Sequence, residues 1–272
     1  GTHRGEIWSV ALGDAGRDPV LGDGAGGFQY SYLLHRTDGQ QTVHDAHSVE
    51  LETLSELGVP GLLMWLAFLV GAGVGIQRAR RLGPSAAVLA AIAVTAGSYW
   101  LVHTSIDWFW PYPAVTAPVI ALLGAACAPT LRTATLVKPG RWRVGLGVGA
   151  VVLALSAIPP FFSKSYVNQA FGEWRTDFPR AMSDLDQAHS LWPMSVDPLM
   201  AKGAIARAAG NRAVAIGAFS QVTRQRPREW AAHYYLALLY RKSSPQRARQ
   251  ELAAALADDP REPILLALRK QL

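Results

Sequence analysis

Residues 47–77, HSVELETLSELGVPGLLMWLAFLVGAGVGIQ, set the terms for the whole chain. A polar segment led by His47 runs straight into an apolar run that starts at Gly58 and stays uncharged to Gln77. As a helix, roughly 20 such residues cross the hydrocarbon core of a bilayer. The pattern predicts a membrane-spanning helix over 58–77 with a titratable imidazole held at its edge. Ionisable groups at that boundary are costly to keep unless they are solvated or used.

Three more apolar stretches follow, at 86–102, 113–128 and 144–160. Each is short for a span and needs flanking aromatics or neighbouring helices. Pro118 predicts a kink or a re-entrant path in the third. Arg78, Arg80 and Arg81 follow the first stretch, and Arg132, Lys138, Arg141 and Arg143 lie between the third and fourth. The loop between the second and third carries Asp107 and no Lys or Arg. The excess of Lys and Arg in cytoplasmic loops puts both basic loops in the cytoplasm. The His47 segment, the 103–112 loop and everything after 160 are then expected outside. Tyr99, Trp100, Trp108, Trp110 and Tyr112 read as an interfacial aromatic belt.

Half of the 272 residues are apolar and the net charge is +6. Much of the basic charge sits in the short loops, where topology accounts for it, and no basic stripe with interleaved aromatics marks a nucleic-acid face. Cys127 is the only cysteine, which excludes a disulfide within the chain and a cysteine-based metal site. The opening Gly-Thr-His-Arg carries no initiator Met and no signal region. A further membrane anchor is expected upstream.

After about 164 the sequence turns polar and repeats. Pro193, Pro227 and Pro260 are spaced by 34 and 33 residues. Twelve positions before each stands Ala181, Ala215 and Ala248; eight before, Leu185, Phe219 and Leu252; five before, Ala188, Val222 and Ala255. Alanine lets helices approach, the larger residue fills the groove, and proline ends the helix. This period looks like tetratricopeptide repeats over 164–272, with Trp230, Tyr234, Leu236, Ala237 and Tyr240 suiting the first helix of one unit. An irregular helical bundle with accidental spacing is the alternative.

The outer segment 1–57 holds the remaining motifs. Arg4 precedes Trp8 by one helical turn, and Asp18-Pro19 is followed by Gly22-Asp23-Gly24-Ala25-Gly26-Gly27-Phe28. That glycine run fits a nucleotide-binding loop only loosely and reads as a turn needing positive φ angles. His44, Asp45, His47 and Glu50 allow three readings: a metal site, a structural His47 that caps the next helix or faces solvent, or a working imidazole. The spacing matches no common zinc pattern. Glu50, Glu52 and Glu56 read as a solvated face, and His103 and Asp107, four apart, as a supporting pair on one helical turn.

Taken together, Arg4 to about Ala126 resembles the C-terminal half of the O-antigen ligase and polymerase family, polytopic membrane glycosyltransferases that use lipid-linked sugars. Ligases of that family carry a His, then Asn, Ser or Gln, nine residues, Gly, two residues and Gly. His47-Ser48, Gly58 and Gly61 fill every position. The order Arg4, Trp8, Pro19 and Gly22 to Gly26 matches, as does the pair His103 and Asp107 after the next span. The resemblance covers less than half of the chain, and the family's upstream spans lie outside it. The repeat-like tail is shared with some relatives but not with the lipopolysaccharide ligases proper.

The resemblance implies transfer of a glycan from undecaprenyl diphosphate to an acceptor glycan or lipid hydroxyl outside the cytoplasmic membrane. It implies His47 as general base, Arg4 on the leaving diphosphate, and Ser48, Gly58, Gly61, His103 and Asp107 in support, with no metal and no cofactor. The expectation is an all-α chain. It comprises an extracytoplasmic loop segment at 1–57, about four membrane helices within 58–160, and an exported repeat domain able to take a protein partner. The runners-up are a membrane-anchored repeat scaffold without catalysis and a metal-dependent hydrolase built on His44, Asp45 and His47.

Overall fold

The computed structural model describes residues 4–37, 39, 42–133 (129–133 as backbone), 155, 156 and 158–272. Among these residues the chain is all-helical, with twelve helices and no strand, as the sequence predicts. It divides into two compact units, Gly1–Lys138 and Pro139–Leu272.

The first unit opens with α1 (Arg4–Arg17) and α2 (Phe28–His35). The segment expected as a loop is thus largely helical, with its own apolar core of Ile7, Val10, Ala11, Phe28, Tyr32 and Ala46. It also buries charge. Asp14 is fully buried, takes hydrogen bonds from Ser31 Oγ and Arg17, and has its carboxyl pushed up by burial. Arg36, the residue that ends α2, is fully buried too. This polar core ties the two helices together, which hydrophobic periodicity alone does not reveal.

Helix α3 (Val49–Ala79) begins at Ser48, whose Oγ accepts from Leu51 N, and carries Glu50 and Glu52 in its first turn, where the helix dipole favours acids. Its path breaks at Gly58, with φ 65° and ψ −166°. The break has a clear chemical bookkeeping. In a regular helix the Ser55 and Glu56 carbonyls would accept from residues 59 and 60. Pro60 has no N–H, and Val59 N–H instead donates to Pro19 O at 2.8 Å. The 18–27 loop restores both orphans: Asp23 N–H donates to Ser55 O at 2.8 Å and Gly24 N–H to Glu56 O at 3.0 Å.

Glycine is required where the two segments meet. A Cβ on Gly58 would lie 2.6 Å from Val20 O, and one on Gly22 would lie 2.5 Å from the Glu56 carbonyl carbon. The glycine run, with Gly22, Gly24 and Gly26 at positive φ, therefore closes on the α3 backbone. One turn later a Cβ on the buried Gly61 would overlap Leu57.

Of the four expected spans, α3 and α4 (Pro84–Thr104) are long and apolar enough to cross a membrane, and a shorter apolar run, Pro113–Ala128, lies in α5 (Pro113–Thr133). The most apolar windows of α3 and α4 are only 11% and 17% buried. A core helix of a water-soluble domain would bury far more of such a surface. The three helices meet along Ile76, Ala90, Ala93, Leu123 and Ala126. Helix α5 runs unbroken through Pro118. Most of the fourth stretch, 144–160, lies outside the described residues, as do Lys138, Arg141 and Arg143 and the side chain of Arg132. Trp100 departs from the belt reading: it is buried, packs edge-on against Trp65 and donates to Thr116 Oγ1.

The second unit comprises α6 (Ile158–Glu173), α7 (Phe178–Leu191), α8 (Asp197–Ala208), α9 (Arg212–Gln225), α10 (Trp230–Tyr240), α11 (Pro245–Asp258) and α12 (Pro263–Arg269). Helix α6 crosses the boundary drawn at 160–164, with Pro159 and Pro160 in its first turn, where a missing N–H has no cost. The closest packing joins α6 with α7, α8 with α9, and α10 with α11.

The nine periodic residues occupy matching places on α7, α9 and α11, and none is more than 4% exposed. The helix ends match as well. Trp192, Arg226 and Asp259 take φ of −138°, −131° and −139° and donate to the carbonyls of Ala188, Val222 and Ala255. The proline after each forces its predecessor out of the α region. A second series, which the proline spacing does not expose, lies on the partner helices: Ala170, Gly203 and Ala237, spaced by 33 and 34. A Cβ on Gly203 would lie 2.6 Å from the Phe219 ring.

Candidate functional site

His47 sits on the turn that feeds α3. Its φ of 54° is the only positive value at a non-glycine among the described residues. A left-handed conformation there costs on the order of 1 kcal/mol or more and persists where surroundings over-determine it. The next residue, Ser48, is extended (φ −162°, ψ 120°) and caps the helix. The turn thus reverses within one residue and delivers the imidazole to the head of α3.

The ring is partly open to solvent, with its side chain 26% exposed. Its Nδ1 is buried, lies 3.8 Å from Asp107 Oδ1, and closes no hydrogen bond. That distance is charge contact without a hydrogen bond.

Asp107 comes from the turn after α4, which ends at Thr104. It forms no ion pair with His103. The helix stops before Asp107 could complete the turn, and Asp107 Oδ1 accepts from Trp108 N at 2.8 Å. His103 instead stacks between Tyr99 and Phe109, with ring centroids 5.8 and 5.1 Å away. The structure therefore brings His47 and Asp107 together and leaves His103 in an aromatic ladder.

Glu50 joins the two turns. Ser48 Oγ donates to Glu50 Oε2 at 3.0 Å, and Ser105 Oγ donates to Glu50 Oε1 at 2.8 Å. One carboxylate thereby ties the His47 turn to the turn that carries Asp107.

Glu52 lies on the polar arm of α3, ahead of the apolar stretch that begins at Gly58. It is 6% exposed, and its Oε2 accepts from Ala46 N at 3.0 Å. Burial pushes its carboxyl up to about 7, with the nearby Asp45 carboxylate adding to the rise. The Ala46 N–H and the Trp110 indole oppose that rise, although the indole N–H completes no hydrogen bond. Glu56 accepts from Phe28 N at 3.3 Å and is raised by burial. The solvated-face reading of these acids is thus corrected. Glu52 and Glu56 share one side of the arm, and that side is covered by α2, the glycine loop and the turn before His47. Their i, i+4 spacing beside Val49 and Ser55, both buried, was the available signal.

Arg4 is the first residue of α1 and half-buried. Its helix packs against Ala46 and Leu51, which flank the His47 turn. Among the described residues Arg4 forms no hydrogen bond or ion pair with His47 or Asp107. His44 Nδ1 meets Gln29 Oε1 at 3.0 Å, and Asp45 is raised by burial. Among the described residues no three His, Cys, Asp or Glu side chains are grouped so as to hold a metal ion.

The site resulting from these contacts is a partly exposed imidazole with one carboxylate 3.8 Å from its buried Nδ1. Neither a protein-family model nor a curated protein matches the chain.

Proposed function

We propose that this chain belongs to a membrane glycosyltransferase of the O-antigen ligase and polymerase kind. It moves a glycan from a polyprenyl-diphosphate carrier to an acceptor glycan or lipid hydroxyl on the outer side of the cytoplasmic membrane. The observation that carries this reading is the His47 imidazole, held on a strained turn at the head of a kinked apolar helix with Asp107 behind it.

The acceptor hydroxyl is far too weak an acid to ionise first, so its proton must leave as the new bond forms. A positioned imidazole can take that proton in the transition state, and such a base contributes about 10²–10⁴-fold. Asp107 keeps the imidazolium stable until the proton is passed on. The leaving diphosphate gathers negative charge, and Arg4 offers a guanidinium able to meet two phosphate oxygens. Gly58 and Gly61 support the kink, and Ser48 the cap, that aim His47.

The three matching helix ends in the second unit support a tetratricopeptide-like stack. Such a stack has a concave face for a protein partner. The same observation favours a second reading, a membrane-anchored scaffold without catalysis.

His47→Ala in membranes containing the complete protein should reduce glycan transfer by about 10²-fold or more at unchanged protein level. Transfer that survives the substitution rules out His47 as the base. Loss of phenotype on deleting 164–272, with His47→Ala silent, selects the scaffold.

A further inference from the structure

We infer that the second unit holds a binding site for a phosphate-type anion, in the pocket between the α8–α9 turn and the α10–α11 turn. The inference does not depend on the role of His47. The pocket has a volume of about 300 Å³, at the lower end of small-ligand sites. Four cations line it, Arg207, Arg212, Arg241 and Lys242, against an apolar wall of Leu238 and Leu239.

The local backbone explains how the charges converge. Helix α8 ends in a Schellman turn: Gly210 stands at φ 77°, its N–H donates to Arg207 O, and Asn211 N–H donates to Ala206 O. The chain reverses there, so Arg207 and Arg212 flank the same turn. Arg241 and Lys242 follow the C-terminus of α10.

All four lack a carboxylate partner among the described residues. Arg207 lies over the Tyr235 ring, 5.1 Å from its centre. Arg212 donates to Leu239 O and Ser243 Oγ, and Arg241 to Gln271 Oε1 at 2.9 Å. The anchors of the three arginines are neutral, so they order the guanidiniums and leave the charge uncompensated. Elsewhere in the unit cations do find acids: Arg180 with Glu173 at 3.1 Å, Lys202 with Asp186, and His233 with Glu251 at 2.7 Å.

A plainer account exists for part of this. Basic residues near helix C-termini are favoured by the dipole, which covers Arg207, Arg241 and Lys242 one at a time. It does not cover Arg212, the first residue of α9, where the dipole disfavours a cation. Nor does it explain why four like charges line one open pocket. An anion bearing two charges relieves that repulsion, and guanidinium forks suit phosphate oxygens. The phosphate group could belong to a soluble phosphorylated ligand or to a lipid headgroup.

The test uses the full chain in phosphatidylcholine nanodiscs, titrated with pyrophosphate at low salt. Saturable binding is expected, weakened about tenfold or more in the double variant Arg241→Gln, Lys242→Ala. Lys242 makes no contact whose loss would disturb the fold, and an unchanged unfolding temperature verifies this for the pair. Repeating the titration with phosphatidylglycerol in the disc separates the sources. Competition that depends on Lys242 identifies a headgroup; its absence identifies a soluble phosphate ligand. No saturable binding, or equal affinity in wild type and double variant, overturns the inference.

Discussion

In the first unit, polar contacts join distant parts of the chain: Ser105 to Glu50, Phe28 to Glu56, Ser31 to Asp14. In the second unit, one three-residue pattern recurs on α7, α9 and α11, and packing runs mainly between helices that are neighbours in sequence. The first arrangement is polar, irregular and specific to one turn. The second is apolar, regular and divided among near-equivalent modules. Damage in the first should therefore appear as lost geometry at one place, and damage in the second as lost stability of a helix pair and its neighbours.

The largest expected effect tests the modular side. Phe219 is fully buried, with Gly203 packed on its ring. Phe219→Ala should cost about 3–5 kcal/mol. Limited proteolysis in detergent should show cleavage spreading through the second unit while 4–133 stays protected. Cleavage spreading equally through both units would break the comparison.

Next comes the kink. Gly58→Ala places a Cβ against Val20 O at a positive φ, and about 2–4 kcal/mol is expected from strain and crowding. Faster hydrogen exchange at the Asp23 and Gly24 amides, with the second unit unchanged, is the signature.

Glu52 sharpens the contrast through pH. Its folded carboxyl is raised to about 7 from an ordinary 4.5, so its contribution is fully present below 4.5 and lost as pH rises through 7. The loss is on the order of 3 kcal/mol at most. Glu52→Gln keeps an acceptor for Ala46 N–H and should flatten the stability profile between pH 5 and 8. An unchanged slope in a thermal series would show that the buried carboxyl carries no such linkage.

The smallest effect belongs to the second unit. Burial lowers the His233 pKa, but the bonds from its ring to Glu251 and to Pro227 O outweigh that and raise it above its ordinary 6.5, with Asp258 adding to the rise. Its stabilisation is therefore present below 6.5 and fades as pH rises through the raised value. His233→Gln should remove about 1 kcal/mol at pH 6 and little at pH 9, read by chemical unfolding.

Much of the fold was legible because the signals are local. The apolar runs at 58–77 and 86–102 lie within α3 and α4, and Pro193, Pro227 and Pro260 stand just past the ends of α7, α9 and α11. A capping His47 is one of three readings of that segment, and the cap is Ser48 instead. Less of the site was legible. The three acids after His47 looked solvated, yet Glu52 is buried and Glu50 bridges two turns. Spacing pairs Asp107 with His103, but the helix ends too early, and the carboxylate faces His47. The glycine run reads as a turn, while nothing local marks the broken α3 backbone as its partner.

By itself, then, the sequence determined the helical class, the two long apolar helices and the proline-bounded recurrence of the second unit. Each depends on residues within a turn or two of one another, through side-chain period, backbone restriction and missing N–H groups. Tertiary structure alone decided which acids are buried, which carboxylate meets His47, and how the kink in α3 keeps its carbonyls satisfied. Burying a polar group is tolerable only when a partner arrives to satisfy it, and for Glu56 and the carbonyls freed by the kink the partners arrive from tens of residues away.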